Sequence, residues 1–401
     1  MNNMLNSMEN NISLSNQNFK EQLRRAQRDL SVLYDISNAM RTTLELNHIL
    51  YIILTGVTAH YGLGFNRAIL FLVNKKERCL ECKTVIGPES GEHAKRIWNF
   101  IKESNQDLED LISAEKISQN SSQSATYDEI KHLKIPLEKD NSNLLLTAYH
   151  EGNCLHIEQN NIAQYQNDPL LKVFHTTELV IMPLKAKDQV IGLIVADNLF
   201  TQKTITQDDL RIFTMLANQA GLAIENSQLY ELVVYKSHTD PITNLWNHGY
   251  FQHKLSEELQ KAQASSLPLS LAIIDIDNFK QLNDAYGHQN GDIVLRDLAN
   301  ILRNASREID YVCRYGGEEF SIILPQTNKQ QGFDIAERIR SKTLEYNFPK
   351  FNTLEVKITV SIGLASFPVD ATTKEDLIAK ADKAMYIAKF SGKNQTYLSE
   401  S

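Results

Sequence analysis

Four carboxylates in this 401-residue chain stand where folding alone does not ask for them. Asp275 and Asp277 close an apolar run, 269–277, that otherwise reads as a buried strand. Burying an unpaired carboxylate is costly, and period-two alternation puts both acids on one face. A hard cation would compensate them together, and Mg²⁺ favours one or two carboxylates plus phosphate oxygens. Glu318 and Glu319 follow Gly316-Gly317, between apolar-aromatic segments at 310–315 and 320–324. That is a strand–turn–strand pattern in which glycine would supply positive φ. A hydrated surface turn accounts for these acids without chemistry. A carboxylate offered to a metal or to a reacting hydroxyl accounts for them with it.

Between the two pairs, 278–284 reads as a short helix whose first amides could meet a phosphate. Asn283 and Asp292 could read a purine edge, since a carboxylate accepts two N–H bonds from guanine, although each alone also suits a helix cap. Gly287 ends the short helix, and Gly291-Asp292 opens another over 293–304.

The elements around these residues form two groups. In the first half, helices are expected over 19–40 and 44–61, after a polar, frayed segment 1–16. Strands are expected over 67–73, 80–86 and 190–197, short apolar segments at 144–155 and 179–184, and a helix over 89–103. The polar stretch 107–143 reads as a variable insertion with some helix. Thr206 caps a long helix reaching His238, which outruns the needs of one domain and suggests a parallel dimer stalk, or else a terminal helix on its own sheet. Asp240-Pro241 then breaks it and opens a new unit, with a helix over 248–262.

A net charge of −8 disfavours nucleic-acid binding. No signal peptide is legible and no run reaches the roughly 18 apolar residues of a spanning helix, so a soluble, cytoplasmic protein with no membrane contact is expected. The four cysteines include one C-x-x-C, Cys79 to Cys82, without a second pair, which favours ordinary thiols over a metal site.

The strings Asp275-Ile-Asp277, Phe279-Lys280, Asn283-Asp284, Gly287-His288, Gly291-Asp292, Arg314-Tyr-Gly-Gly-Glu-Glu-Phe320 and Val360-Ser-Ile-Gly363, in this order, resemble the GGDEF family of diguanylate cyclases. The opening at Asp240, the stretch 381–389 and Gly392-Lys393-Asn394 agree with it. The resemblance implies an enzyme making cyclic di-GMP and two pyrophosphates from two GTP. Asp275 and Glu318 would hold Mg²⁺, or alternatively Mn²⁺, with the Ile276 carbonyl. Glu318 would also assist deprotonation of the attacking hydroxyl, supported by Glu319. Asn283 and Asp292 would read guanine, with His288 nearby. The backbone at Asn278 and Phe279 would cradle phosphates, and Lys389 and Lys393, four apart on one helix, would neutralise them. Arg307 and Asp310, with Arg338, fall where the family carries a product-inhibition site for cyclic di-GMP; a surface ion pair is the alternative. One domain holds one GTP, so a two-fold homodimer is implied. His248-Gly249 replaces the family's arginine pair, which bears on coupling to the upstream helix.

The stretch 198–226 resembles the closing half of a GAF domain. This implies a six-stranded antiparallel sheet with helices on one face and a small-molecule cavity on the other, a cyclic nucleotide such as cAMP being the first candidate. The expected class is α/β (α+β): an N-terminal tail and helix over 1–29, a GAF sensor over 30–228, a signalling helix over 229–239 and a GGDEF domain over 240–401. A catalytically silent GTP or cyclic di-GMP receptor, and a dimeric ligand-binding scaffold, are the rival functions.

Overall fold

The first 41 residues contain neither proline nor glycine, and one helix, α1 (Asn2–Arg41), takes them from Asn2 onward, including the stretch expected to fray. In this computed structural model, residues 2–59, 62–88, 90–104, 110, 130, 132–138, 143–348 and 357–400 are described. Most of the insertion expected over 107–143 lies outside them. The chain divides into two compact units, 1–231 and 232–401.

The first unit is built on a six-stranded antiparallel sheet of order β3-β2-β1-β6-β5-β4. Its strands are β1 (Arg67–Asn74), β2 (Cys79–Ile86), β3 (Lys134–Pro136), β4 (Leu155–Ile157), β5 (Leu179–Ala186) and β6 (Gln189–Asp197). Central strands covered on both faces must be apolar throughout rather than alternating. That is why β1 and β6 read as continuous hydrophobic runs. Ala68, Leu70 and Leu72 face α1, α2 (Leu46–Thr58) and the first half of a long helix, α6, described below, packing with Ile36, Ile53, Phe213 and Ala217. Ile69 and Phe71 face the other way, onto α4 (Leu144–Glu151) and α5 (Pro169–Phe174). The face expected to hold a ligand cavity thus carries helices too, and Leu145, Leu170 and Phe174 pack there. A further helix, α3 (Gly91–Ser104), follows β2. A buried ion pair between Arg67 and Asp197 joins the paired ends of β1 and β6, and Arg67 also donates to the Phe174 carbonyl at 2.7 Å. Cys79 and Cys82, three apart in β2, point to opposite faces, and no disulfide is present among the described residues.

The long helix α6 (Gln207–His238) starts with the expected cap: Thr206 and Asp209 exchange side-chain and backbone hydrogen bonds. No described helix is long and apolar enough to cross a membrane.

The second unit is a five-stranded sheet of order β11-β10-β7-β9-β8. The strands are β7 (Leu269–Ile276), β8 (Tyr311–Arg314), β9 (Glu319–Pro325), β10 (Val360–Phe367) and β11 (Thr396–Leu398). Ala272, Ile274 and Ile276 of the central β7 pack under α8 (Phe279–Tyr286), α9 (His288–Ala305) and α10 (Lys329–Glu345). Leu269, Leu271 and Ile273 pack under α7 (His248–Ser265) and α11 (Lys374–Phe390). By the same alternation Asp275 falls on the α11 side.

That face is held close by Gly363 on β10. A Cβ there would sit 2.0 Å from the Met385 nitrogen and 2.2 Å from the Ala381 carbonyl oxygen, both backbone atoms of α11. Gly363→Ala must push α11 off the sheet. It should lower unfolding stability by about 1–3 kcal/mol, read as a lower denaturant midpoint at unchanged slope.

Candidate active site

The apolar strands β8 and β9 form a hairpin because Tyr315 and Gly316 both donate backbone N–H bonds to the Glu319 carbonyl, at 2.8 and 3.0 Å. Neither Gly316 nor Gly317 adopts positive φ, contrary to the turn expected from the sequence. A Cβ at 316 would lie 2.5 Å from Oε2 of Glu319, the movable end of that side chain. The hairpin tip is joined to the end of β7, where Asp275 pairs with Glu319 and the Ile276 N–H donates to the Glu318 carbonyl at 3.3 Å. Asp275, Glu318 and Glu319 therefore converge from two neighbouring strands.

The tip is anchored by one residue not singled out from the sequence for any role. Arg314 donates to the carbonyls of Gly316 at 3.2 Å and Gly317 at 2.7 Å, and to both oxygens of Asp240 at 3.0 Å. Asp240 also accepts from Thr243, through its backbone at 2.8 Å and its hydroxyl at 2.8 Å. Burial pulls the Asp240 pKa up, but the Thr243 and Arg314 bonds outweigh it and hold it below the usual carboxylate value. His248, in place of the family's arginine, lies with Nδ1 3.1 Å from the Tyr315 carbonyl. An acid before proline looks like a helix breaker in a sequence, and nothing there signals its bond to Arg314.

Asp275 is 2% exposed. Burial raises its pKa to about 6, against the lowering influence of Lys389, and nearby Glu318 and Glu319 raise it further. Lys389 Nζ meets Oδ2 at 2.6 Å, while Oδ1 is buried without a hydrogen-bond partner. An orphaned carboxylate oxygen among three acids is what a divalent cation would satisfy, so Asp275 and Glu318 fit the Mg²⁺ that the sequence implies. Asp277 does not share that cation. The strand ends at Ile276, and the Asp277 carboxylate accepts from Thr359 and Ser361 hydroxyls and the Asn394 N–H instead.

Asn278 enters α8 in a left-handed conformation, φ 60°, with no side-chain cap, leaving the first amides of that helix without intrahelical acceptors. Lys393 Nζ donates to its Oδ1. Lys389 and Lys393 do not share one helix, because α11 stops at Phe390; Lys389 reaches Asp275 near the end of β7, and Lys393 reaches Asn278 just after it. The helix expected to open at Gly291-Asp292 begins earlier, at His288. Gly291 lies inside its first turn, where a Cβ would come 1.9 Å from Oδ1 of Asn283. That oxygen is buried and without a hydrogen-bond partner, and Asp292 is next along the helix; His288 is exposed at its start.

Away from these groups, Arg307 grips Asp310 through Nε at 3.1 Å and Nη2 at 2.7 Å, and reaches the Thr327 hydroxyl at 2.6 Å. Arg338 on α10 donates at 2.7 Å to the carbonyl of Ala305, the last residue of α9, two positions before Arg307.

Residues 237–395 match the family model "Diguanylate cyclase, GGDEF domain", and residues 45–224 match "GAF domain". Diguanylate cyclase A of Treponema denticola is 36% identical over 240 residues, 59% of this chain and 63% of that protein. Response regulator PleD of Caulobacter vibrioides is 41% identical over 157 residues, 39% of this chain and 35% of its own length. The chain thus spans less than two thirds of either relative. The coiled coil and GGDEF domain of DgcB from Caulobacter crescentus, crystallised in complex with c-di-GMP, is 29% identical with a TM-score of 0.43, covering 48% of this chain and 100% of that chain.

Asp275 makes the metal-free site pH-sensitive in a defined direction. Its folded pKa, about 6, lies above the ordinary 3.8, so the folded state binds more protons than the unfolded between those values. Its contribution to stability is full below the lower value and is lost as pH rises through the upper one. In EDTA, Asp275→Asn should melt higher than the wild type above pH 6 and converge with it at lower pH. Mg²⁺ should raise the melting temperature of the wild type at neutral pH but not that of the variant. Superimposed curves would reject Asp275 as the buried acid of the site.

Proposed function

We propose that this chain, a GAF domain joined to a GGDEF domain, is a cytoplasmic, Mg²⁺-dependent diguanylate cyclase regulated through its first half. The observation that carries this is Asp275: a buried carboxylate with one oxygen on Lys389, the other unpartnered, and Glu318 and Glu319 beside it on the hairpin. Such a cluster suits a nucleotide triphosphate arriving with its cation. Each 3′-oxygen bonds to the α-phosphorus of the opposing GTP as the bond to pyrophosphate breaks, giving cyclic di-GMP and two pyrophosphates. Asp275, Glu318 and the Ile276 carbonyl would hold Mg²⁺, which would supply charge neutralisation on the phosphates. Glu318 accepts the hydroxyl proton, with Glu319 in support. Asn283 and Asp292 hold the guanine, near His288. The α8 amides at Asn278 and Phe279, with Lys389 and Lys393, hold the phosphates. Positioning and charge neutralisation supply most of the rate enhancement.

Two sites must face each other, and the surface of α6 supports a homodimer. Met215, Leu222 and Leu229 recur every seven residues and are exposed, the spacing of a coiled-coil seam. A small molecule bound to the GAF domain, a cyclic nucleotide in the first instance, would alter that seam and so the register of the two sites. Arg307, Asp310 and Arg338 form the inhibitory site for cyclic di-GMP, arginine forks suiting phosphate and guanine.

Incubation with GTP and Mg²⁺ tests the activity. A sample shown to be dimeric by sedimentation should release cyclic di-GMP, and silence under all conditions would reject the cyclase in favour of a receptor. Glu318→Ala should lower kcat by about 10²-fold or more with an unchanged melting curve. Arg338→Ala should weaken inhibition by added cyclic di-GMP roughly tenfold at unchanged kcat, as should Arg307→Ala, which also strands the Asp310 carboxylate and so lowers stability. An unaltered inhibition curve in both variants would remove that site.

A further inference from the structure

Asp277 is 8% exposed, and its carboxylate is fully engaged. Oδ2 accepts from the Thr359 hydroxyl at 2.7 Å and the Asn394 N–H at 3.0 Å, and Oδ1 accepts from the Ser361 hydroxyl at 2.7 Å. Its own N–H donates to the Thr359 carbonyl at 2.9 Å. The first two donors to its side chain thus come from different places in the fold: the entry to β10, and the turn after α11.

That turn is conformationally costly. Gly392, Lys393 and Asn394 have φ values of 119°, 63° and 47°. Two of these residues carry side chains, and L-residues visit the left-handed region only at an energetic cost. The turn persists because it is tied down: Lys393 N–H bonds the Ala388 carbonyl at 3.1 Å, Arg340 bonds Oδ1 of Asn394 at 3.0 Å, and Asn394 N–H bonds Oδ2 of Asp277 at 3.0 Å. Its product is the placement of Lys393, whose ammonium reaches Asn278, the residue that follows Asp277.

We infer that Asp277 is a positioning residue for triphosphate binding: it holds the 392–394 turn in its left-handed course, so that Lys393 is presented at the start of α8. Asp277 touches neither substrate nor cation. Its effect on nucleotide affinity passes through Lys393. This rests on GTP being the ligand of the site.

The test is a double-mutant cycle on the full chain, read by calorimetric binding of a non-hydrolysable GTP analogue with saturating Mg²⁺, and by steady-state kinetics. Asp277→Asn replaces an acceptor for three donors with a group that has one acceptor oxygen. It should weaken analogue binding roughly tenfold, the loss of about one charge-assisted hydrogen bond, raising KM for GTP while kcat changes less than about twofold. Lys393→Ala should weaken binding similarly, and the double variant should be no weaker than the worse single one. The half-saturating Mg²⁺ concentration should stay at the wild-type value in Asp277→Asn. Multiplying losses in the double variant, or a raised Mg²⁺ requirement, overturns the inference. If Asp277→Asn does not fold, Ser361→Ala removes a single donor: a KM raised a few-fold at unchanged kcat supports the role, and an unchanged KM overturns it. Analogue binding is measured without turnover. A chain that shows this pattern but makes no cyclic di-GMP therefore keeps the positioning role and loses the cyclase, whereas a wild type that does not bind the analogue loses both.

Discussion

A carboxylate that has left water needs its charge answered, and the second unit is arranged around one that is half answered. Asp275 stands on the central strand of a sheet covered on both faces. Lys389 satisfies one oxygen and no described residue satisfies the other. The cost of that oxygen is borne by the packing of β7 between two helical layers, whose apolar contacts would survive without it. Placing the acids of the β8–β9 tip beside it makes the imbalance worse, an arrangement that suits the cation proposed for this site. In the structure Lys389, itself partly exposed, answers the half of the charge that is answered.

The two units use the same grammar for different ends. In the first, the acid at the end of an apolar central strand, Asp197, meets Arg67 directly, and the pair is closed by a backbone carbonyl. Such a pair holds strand ends together and offers nothing to a ligand. In the second, the corresponding acid is left with a vacant lone pair. An adjacent countercharge in one case and an unanswered oxygen in the other set the two carboxylates apart.

Much of this was legible in the sequence. Two-sided strands such as β1, β6 and β7 announce themselves by uninterrupted apolar residues, and long helices by their spacing and caps. The residues around the site were found because acids at the end of a buried run are expensive. What escaped depended on where an element stops by a single residue. Asp277 has the parity of a cation ligand, but β7 releases the chain one residue earlier and the side chain turns to Thr359, Ser361 and Asn394. Lys393 sits at helical spacing from Lys389, yet α11 stops at Phe390 and the turn that follows, with Gly392 at φ 119°, takes it off the helix. Gly291 looked like punctuation and is instead a gap cut in α9 for Asn283. Gly316 looked like a positive-φ turn residue and does not adopt positive φ. The partners of Asp277 are distant from it in sequence, and periodicity is blind to such contacts.

Arg314 has a single planar guanidinium, and it holds both the carbonyls of the hairpin tip and the carboxylate of Asp240, two residues beyond the last turn of α6. The tip and the start of its domain are therefore one stiff piece. Were the helix end to turn, as the proposed control through it requires, these bonds would carry Glu318 and Glu319 along with the strand that bears Asp275. Such control would act like aiming an instrument already in focus: it would select the direction in which a finished site points, and leave the site itself as built.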